Sequence, residues 1–151
     1  MIRIIAIGRK HESWVSEGVD RYEKRLSKPW NCEWIFLPHS SLEAAHARQD
    51  ESERILARLK DDDFVVLLDE RGRLLDSPAL SQALQSQLDK SRPIICIIGG
   101  AYGVNEALTA RADLVWSLSP LVFPHQLVRL ILTEQLYRAQ EIAAHRPYHH
   151  E

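Results

Sequence analysis

Two stretches of this chain are apolar without interruption: Phe64-Val65-Val66-Leu67-Leu68 and Pro93-Ile94-Ile95-Cys96-Ile97-Ile98. A strand with one wet face alternates apolar and polar residues. These two do not alternate, so each reads as a strand buried on both faces, the condition of a parallel sheet sandwiched by helices. The remaining chain fits that arrangement. Ile2 to Ile7, Cys32 to Leu37 and Leu114 to Leu118 read as three further strands. Between them the apolar spacing changes to that of helices. The first runs from His11 to Leu26, with Trp14, Val15, Val19, Tyr22 and Leu26 as its apolar positions, Ser13 as candidate cap and Pro29 closing it. A second spans Ser41 to Leu59, using Leu42, Ala45, Ile55, Leu56 and Leu59. A third starts at Asp76 or Ser77, carries Pro78 in its first turn and continues to about Asp89. A short one covers Asn105 to Ala110, and a long one opens at Pro124-His125 and reaches Ala144, with Leu127, Leu130, Ile131, Leu136 and Ala139 facing inward. After Leu68, Asp69-Glu70-Arg71-Gly72 reads as a turn. Strand and helix alternating from end to end predict an α/β fold around a parallel sheet, formed by residues 1–151 as one domain.

Composition narrows the function classes. No apolar run approaches the roughly 20 residues that cross a bilayer, and no secretory leader is visible. The two cysteines, Cys32 and Cys96, lie inside strand-like runs and give neither a CxxC spacing nor a disulfide framework. These features predict a cytoplasmic protein. A formal net charge of -2 argues against coating nucleic acid by bulk charge and leaves room for a local patch. Arg21, Lys24, Arg25 and Lys28 are four cations on one stretch. They read either as a solvated helix face or as a phosphate-contacting patch.

In an open parallel sheet, ligands bind beyond the carboxyl ends of the strands. Three such ends stand out: Leu68, the pair Gly99-Gly100, and the loop Leu118-Ser119-Pro120-Leu121-Val122-Phe123. Glycine lets backbone approach a flat ligand closely. A phosphate loop is disfavoured, because neither GxGxxG nor Gly-Lys-Ser/Thr is present. The 118–123 loop is too apolar to lie bare, so it either packs under the last helix or lines a pocket for a ring such as adenine. His125 and Arg129 are one helical turn apart, and Glu134 and Arg138 form a candidate i,i+4 pair. The tail His145-Arg146-Pro147-Tyr148-His149-His150-Glu151 lacks the cysteines and the regular element that a metal site would use, so no metal is expected. Tyr148 suits base stacking and His149 proton movement.

The runs IIGGAYGV, SLSPLVFPHQLVRLILTEQLYRA and HRPYHHE, with the weaker IIAIGRK and VVLLDERG, resemble the SPOUT methyltransferases, specifically the family of ribosomal RNA large subunit methyltransferase H. The resemblance covers essentially the whole chain. It implies a C-terminal deep trefoil knot, which no periodicity would predict. It implies S-adenosyl-L-methionine as cofactor, a homodimer whose sites are completed by the partner chain, and methylation of N3 of a pseudouridine in 23S ribosomal RNA of the assembled 70S ribosome. Carried over by position, cofactor contacts fall on Leu68, Gly99, Gly100 and the run Leu118, Ser119, Pro120, Leu121, Val122 and Phe123. The substrate-side positions fall on His125, Arg129, Arg138, Tyr148 and His149. Val122 stands where many relatives have threonine, and His150 replaces a more usual basic residue. A non-catalytic ribosome-binding protein and a tRNA-modifying enzyme are the competing readings.

The chemistry sets its own demands. Methyl transfer from a sulfonium needs the nucleophile in line with the methyl carbon, so positioning is a large part of catalysis. An imide N3–H becomes a good nucleophile only when its proton leaves, and His149 is the residue type suited to take it. Tyr148 would orient the base, and Arg129 or Arg138 would stabilise the developing oxyanion or hold a phosphate.

Overall fold

The computed structural model describes residues 1–150. Five strands form one sheet: β1 (Ile2–Ile7), β2 (Cys32–Leu37), β3 (Phe64–Leu74), β4 (Ile94–Ile98) and β5 (Leu114–Ser117). Their order is β2-β1-β4-β3-β5, and every pairing is parallel. The unbroken apolar runs occupy the interior of this sheet, as their composition requires. Alternate residues of one strand feed two separate cores. Ile4, Ala6, Val66, Cys96 and Trp116 pack on one face, and Ile5, Ile7, Val65, Leu67, Ile95 and Ile97 on the other. Burial pushes the Cys96 thiol up to about 12, so it serves as a hydrophobe and not as a nucleophile.

Helices α1 (Ser13–Glu23), α3 (Ser77–Asp89) and α5 (His125–Ala143) form one outer layer, with α5 packed between the other two. Helices α2 (Ala44–Leu56) and α4 (Glu106–Arg111) cover the opposite face through Ile55 and Leu108. Asp76 and Asn105 cap α3 and α4, accepting from the N–H groups of Ala79 and Leu108. Among the described residues, no helix is long and apolar enough to cross a membrane.

Five local expectations change. Ser13 is not the cap of α1. Glu12 holds that position, and its carboxylate accepts from Trp14 Nε1 (2.6 Å) instead of capping the helix. The helix also ends at Glu23, well before Pro29. Strand β3 does not stop at Leu68. It bulges at residues 69–72 and resumes pairing at Arg73 with Trp116 and Leu74 with Ser117. The bulge is built by Asp69, whose carboxylate accepts from both the backbone and the guanidinium of Arg71. Glycine at position 72 permits the return, because a Cβ there would lie 2.6 Å from the Val115 carbonyl oxygen. Helix α2 buries Ala47, Glu51, Ser52 and Ile55, while Leu42 stays exposed. Helix α5 buries Arg129, Leu132, Thr133, Leu136, Tyr137, Ala139, Gln140 and Glu141, leaving Leu127, Leu130 and Ile131 half-buried.

Candidate active site

The carboxyl ends of β3, β4 and β5 open into a cleft of about 1850 Å³. All the expected cofactor positions except Pro120 line it, and so does His125. Two loops make its walls. The first follows β4. Its turn is closed by the Gly103 N–H donating to the Gly100 carbonyl (3.0 Å), and its far end is held by the Asn105 N–H on Ser52 Oγ (2.9 Å). Gly100 must be glycine, because a Cβ would run into the buried Glu51 carboxylate. The second loop, 118–123, is pinned by Ser119 Oγ, which accepts from the Leu121 N–H (3.0 Å), and by Ser117 Oγ, which donates to the Ser119 carbonyl (2.9 Å). Leu121 and Val122 are 69% and 76% exposed. Apolar side chains held open beside unladdered backbone suit an adenosyl ligand, whose ring needs both apolar walls and polar edges. On this observation the residues fit S-adenosyl-L-methionine, which Leu68, Gly99, Gly100 and the 118–123 loop would hold.

The same loop has a second side. Trp116, Leu118 and Phe123 also border a neighbouring cavity of about 770 Å³, together with Ser77, Gln135 and His149. Here the chain end returns to α5. The Arg138 guanidinium pairs with Glu134 (3.0 Å), lies over the Tyr148 ring (4.7 Å to its centroid) and donates from Nη1 to His149 Nδ1 (3.1 Å). Tyr137 meets Tyr148 edge-on at 4.7 Å. Burial, with help from Glu134 and Tyr22, raises the Tyr148 phenol above its ordinary value, and Arg138 pulls the other way. An arginine only donates, so an imidazole bound to it through Nδ1 carries its ring proton on Nε2.

Arg129 lies elsewhere. It is 1% exposed, under the carboxyl end of β1, where Nη1 donates to the Arg9 carbonyl (2.8 Å) and the guanidinium lies 5.2 Å from the Phe36 ring centroid. The structure therefore brings Arg138, Tyr148 and His149 together and separates them from Arg129. His125 stands between the cleft and Arg129. Burial, then Arg129 and His39, hold its imidazole below the usual histidine value, opposed by Glu51. The exposed cations Arg21, Lys24, Arg25 and Lys28 lie on α1 and just after it.

Glu51, His39 and Gly8 border this region and carry no signal in the sequence pattern. Glu51 is a buried carboxylate in a stretch whose charge predicts exposure. Trp14, 51% exposed, and the half-buried Leu127, Leu130 and Ile131 border a groove between α1 and α5. Among the described residues, no three His, Cys, Asp or Glu side chains gather as metal ligands.

Comparison with known proteins places this geometry. The family model for predicted SPOUT methyltransferases matches residues 1–149. The ribosomal RNA large subunit methyltransferase H of Thioalkalivibrio sulfidiphilus is 38% identical over 154 residues, covering 99% of each chain. That of Acetivibrio thermocellus is 40% identical over 156 residues, covering 98% of each. A probable methylase family protein from Haemophilus influenzae shares the fold, with a TM-score of 0.58 at 14% identity, over 99% of this chain and 70% of its own. S-adenosyl-L-methionine is the methyl donor of the SPOUT family. The chain belongs to the SPOUT methyltransferases and, within them, to the family of ribosomal RNA large subunit methyltransferase H.

Proposed function

We propose that this protein methylates N3 of a pseudouridine in 23S ribosomal RNA of the assembled ribosome, acting as a homodimer with a knotted C-terminal region. The observation that carries the reading is the 118–123 loop, with a cleft roomy enough for the cofactor on one side and the Arg138–Tyr148–His149 cluster on the other. In-line transfer needs the base to reach the methyl carbon unobstructed, and a methyl donor and a base-handling cluster bordering the same loop are near enough for a base to be placed between them at its edge. The relatives' names carry the large-subunit RNA substrate.

When bound, S-adenosyl-L-methionine supplies an electrophilic methyl group on a sulfonium. The chain's own residues prepare the nucleophile. Tyr148, braced by Tyr137 and Arg138, presents an aromatic face to the base. With Nδ1 accepting from Arg138, His149 Nε2–H donates to a carbonyl beside N3 and favours the imidate. As the base, His149 leaves Arg138 and turns its ring, so that the freed Nδ1 lone pair faces N3 in place of Nε2–H and accepts its proton. Glu134 holds Arg138 in place for the first of these arrangements. The groove between α1 and α5, with Trp14 above half-buried leucines, gives a second copy of the chain an apolar face to cover.

The test is transfer of labelled methyl from S-adenosyl-L-methionine to unmodified 70S ribosomes, free 23S RNA and tRNA, with the product mapped by mass spectrometry. Label at N3 of one pseudouridine of the large-subunit RNA in intact ribosomes is the expected result. Label in tRNA alone, or none with cofactor bound, refutes it. Light scattering should give twice the chain mass at micromolar concentration.

A further inference from the structure

One cation in this protein is buried without a counter-charge. Arg129 is almost wholly covered, its Nε has no hydrogen-bond partner, and among the described residues no carboxylate comes within ion-pair distance of it. Its contacts are with a carbonyl, the His11 Nδ1 (3.4 Å) and the Phe36 ring. Taking a guanidinium out of water is expensive, and folded proteins normally offset it with a paired anion. Here no described carboxylate pairs with it directly, and Glu12 acts on it only at longer range.

The surroundings point to where one would enter. Gly8, buried and with φ +127°, lies under both Arg129 and the loop after β2. A Cβ on it would stand 3.2 Å from Arg129 Nη2 and 3.2 Å from His39 Nε2, so the two nitrogens flank one spot on the backbone. His39 is the outer of the two, with its side chain 58% exposed. The carboxylate nearest His39, Glu51, stands 3.9 Å from Nδ1, on the opposite side of the ring; its Oε2 accepts from the Ser40 N–H (2.9 Å) and its Oε1 is buried without a partner. That orientation turns His39 Nε2 toward Arg129. Exposed Arg9 and Lys10 follow Gly8 directly, and His125 connects this corner to the mouth of the cleft.

We propose that Gly8, His39 and Arg129 form an oxyanion site that receives a backbone phosphate of the RNA strand entering the active site. This rests on the RNA-methyltransferase reading and adds a contact to it. The phosphate supplies the charge that Arg129 lacks, and His39 and Lys10 add the donors that an exposed phosphodiester needs. Glycine at position 8 lets both side chains settle against the backbone.

The test uses His39→Ala and Lys10→Ala in the full-length protein, both on the surface and outside the catalytic cluster. Binding to 70S ribosomes is measured across salt concentrations, and S-adenosyl-L-methionine binding by calorimetry serves as the folding control. Expected are an approximately tenfold weaker ribosome affinity for His39→Ala, a salt slope shallower by about one for Lys10→Ala, and unchanged cofactor affinity for both. Wild-type ribosome affinity and salt slope in both variants would overturn the site. So would a loss of cofactor affinity alone, which would assign the oxyanion to the carboxylate of the methionine moiety. Inorganic phosphate, titrated while the His39 imidazole signals are followed by NMR, reads the site without RNA. Saturable shifts are expected, and their absence would also overturn it. If wild-type protein methylates no ribosomal RNA while phosphate still shifts His39, the enzymatic reading fails and the oxyanion site stands.

Discussion

Arg129 and Arg138 sit on the same helix, and their surroundings are opposite. Arg138 is half-buried and fully engaged: a carboxylate pairs with it, a tyrosine ring lies under it and a histidine nitrogen accepts its hydrogen bond. Arg129 is buried deeper, and among the described residues no carboxylate comes within ion-pair distance of it. The difference teaches how one helix serves two ends of a site. Arg138 is satisfied within the chain, so it is suited to hold His149 and Tyr148 in a fixed geometry. Arg129 is unsatisfied, so it is suited to respond to a charge from outside. Between them, the glycine turn after β4 and the 118–123 loop line the cleft proposed for the methyl donor.

The largest effect is expected at the Arg138 end. His149→Ala should lower the single-turnover methylation rate by roughly 10²–10³-fold, the usual cost of removing a proton-handling or oxyanion-stabilising group. Cofactor affinity should be unchanged. A rate within twofold of wild type would remove His149 from the chemistry.

At the other end the main cost should be in stability. Arg129→Ala removes a buried side chain, its contact with Phe36 and the donor to the Arg9 carbonyl, for a loss of about 3 kcal/mol in urea unfolding. Arg129→Met keeps the volume and deletes the unpaired charge, and should cost less than half as much. Equal losses for both would show that Arg129's charge, and not its bulk, supports the fold.

Glu134→Gln sharpens the comparison from the partner's side. The half-buried i,i+4 pair contributes only about 0.5 kcal/mol to stability. Activity should nevertheless fall severalfold, because Arg138 loses its anchor. A change in stability with no change in rate would make the pair merely structural.

The smallest effect concerns protons. The folded state depresses the His125 pKa through burial and the nearby Arg129 and His39, so the native protein binds fewer protons there than the unfolded chain. His11 shifts the same way, through burial and then Arg129. The stability contributed by these neutral imidazoles is complete above roughly pH 6.5 and is lost as pH falls through their folded values. His125→Gln should flatten that acid-side decline in unfolding free energy, and an unaltered decline would assign it elsewhere.

Much of the fold can be read from the residues because its signal is local. An unbroken apolar run has few structures open to it, so β3 and β4 are legible, and so are the loops where each run gives way to glycines or serines. What stays hidden depends on distant partners. Asp69-Glu70-Arg71-Gly72 is a bulge and not a turn that ends the strand, and Gly72 does not take a positive φ, because the chain resumes pairing with β5, about forty residues on. Glu51 looks like a solvated charge on α2 until the loop after β4 folds over it. Arg129 looks like one more surface cation among several on α5, and only the packing of α5 across β1 buries it. Leu127, Leu130 and Ile131 have the spacing of a core face, yet the chain's own core uses a neighbouring stripe of the helix, so these three border the groove beside α1. The roles of individual site residues lie beyond sequence pattern for the same reason, since spacing gives a face and not a contact.

The most direct measurement is the ribosome dissociation constant and the single-turnover rate at saturating ribosome, taken side by side for Arg129→Met and Arg138→Met. The account predicts opposite splits. Arg129→Met should lose affinity roughly tenfold and keep its saturated rate, whereas Arg138→Met should keep affinity within about threefold and lose roughly a hundredfold in rate. The same split in both variants, in either direction, would contradict the division of labour between the two ends of α5.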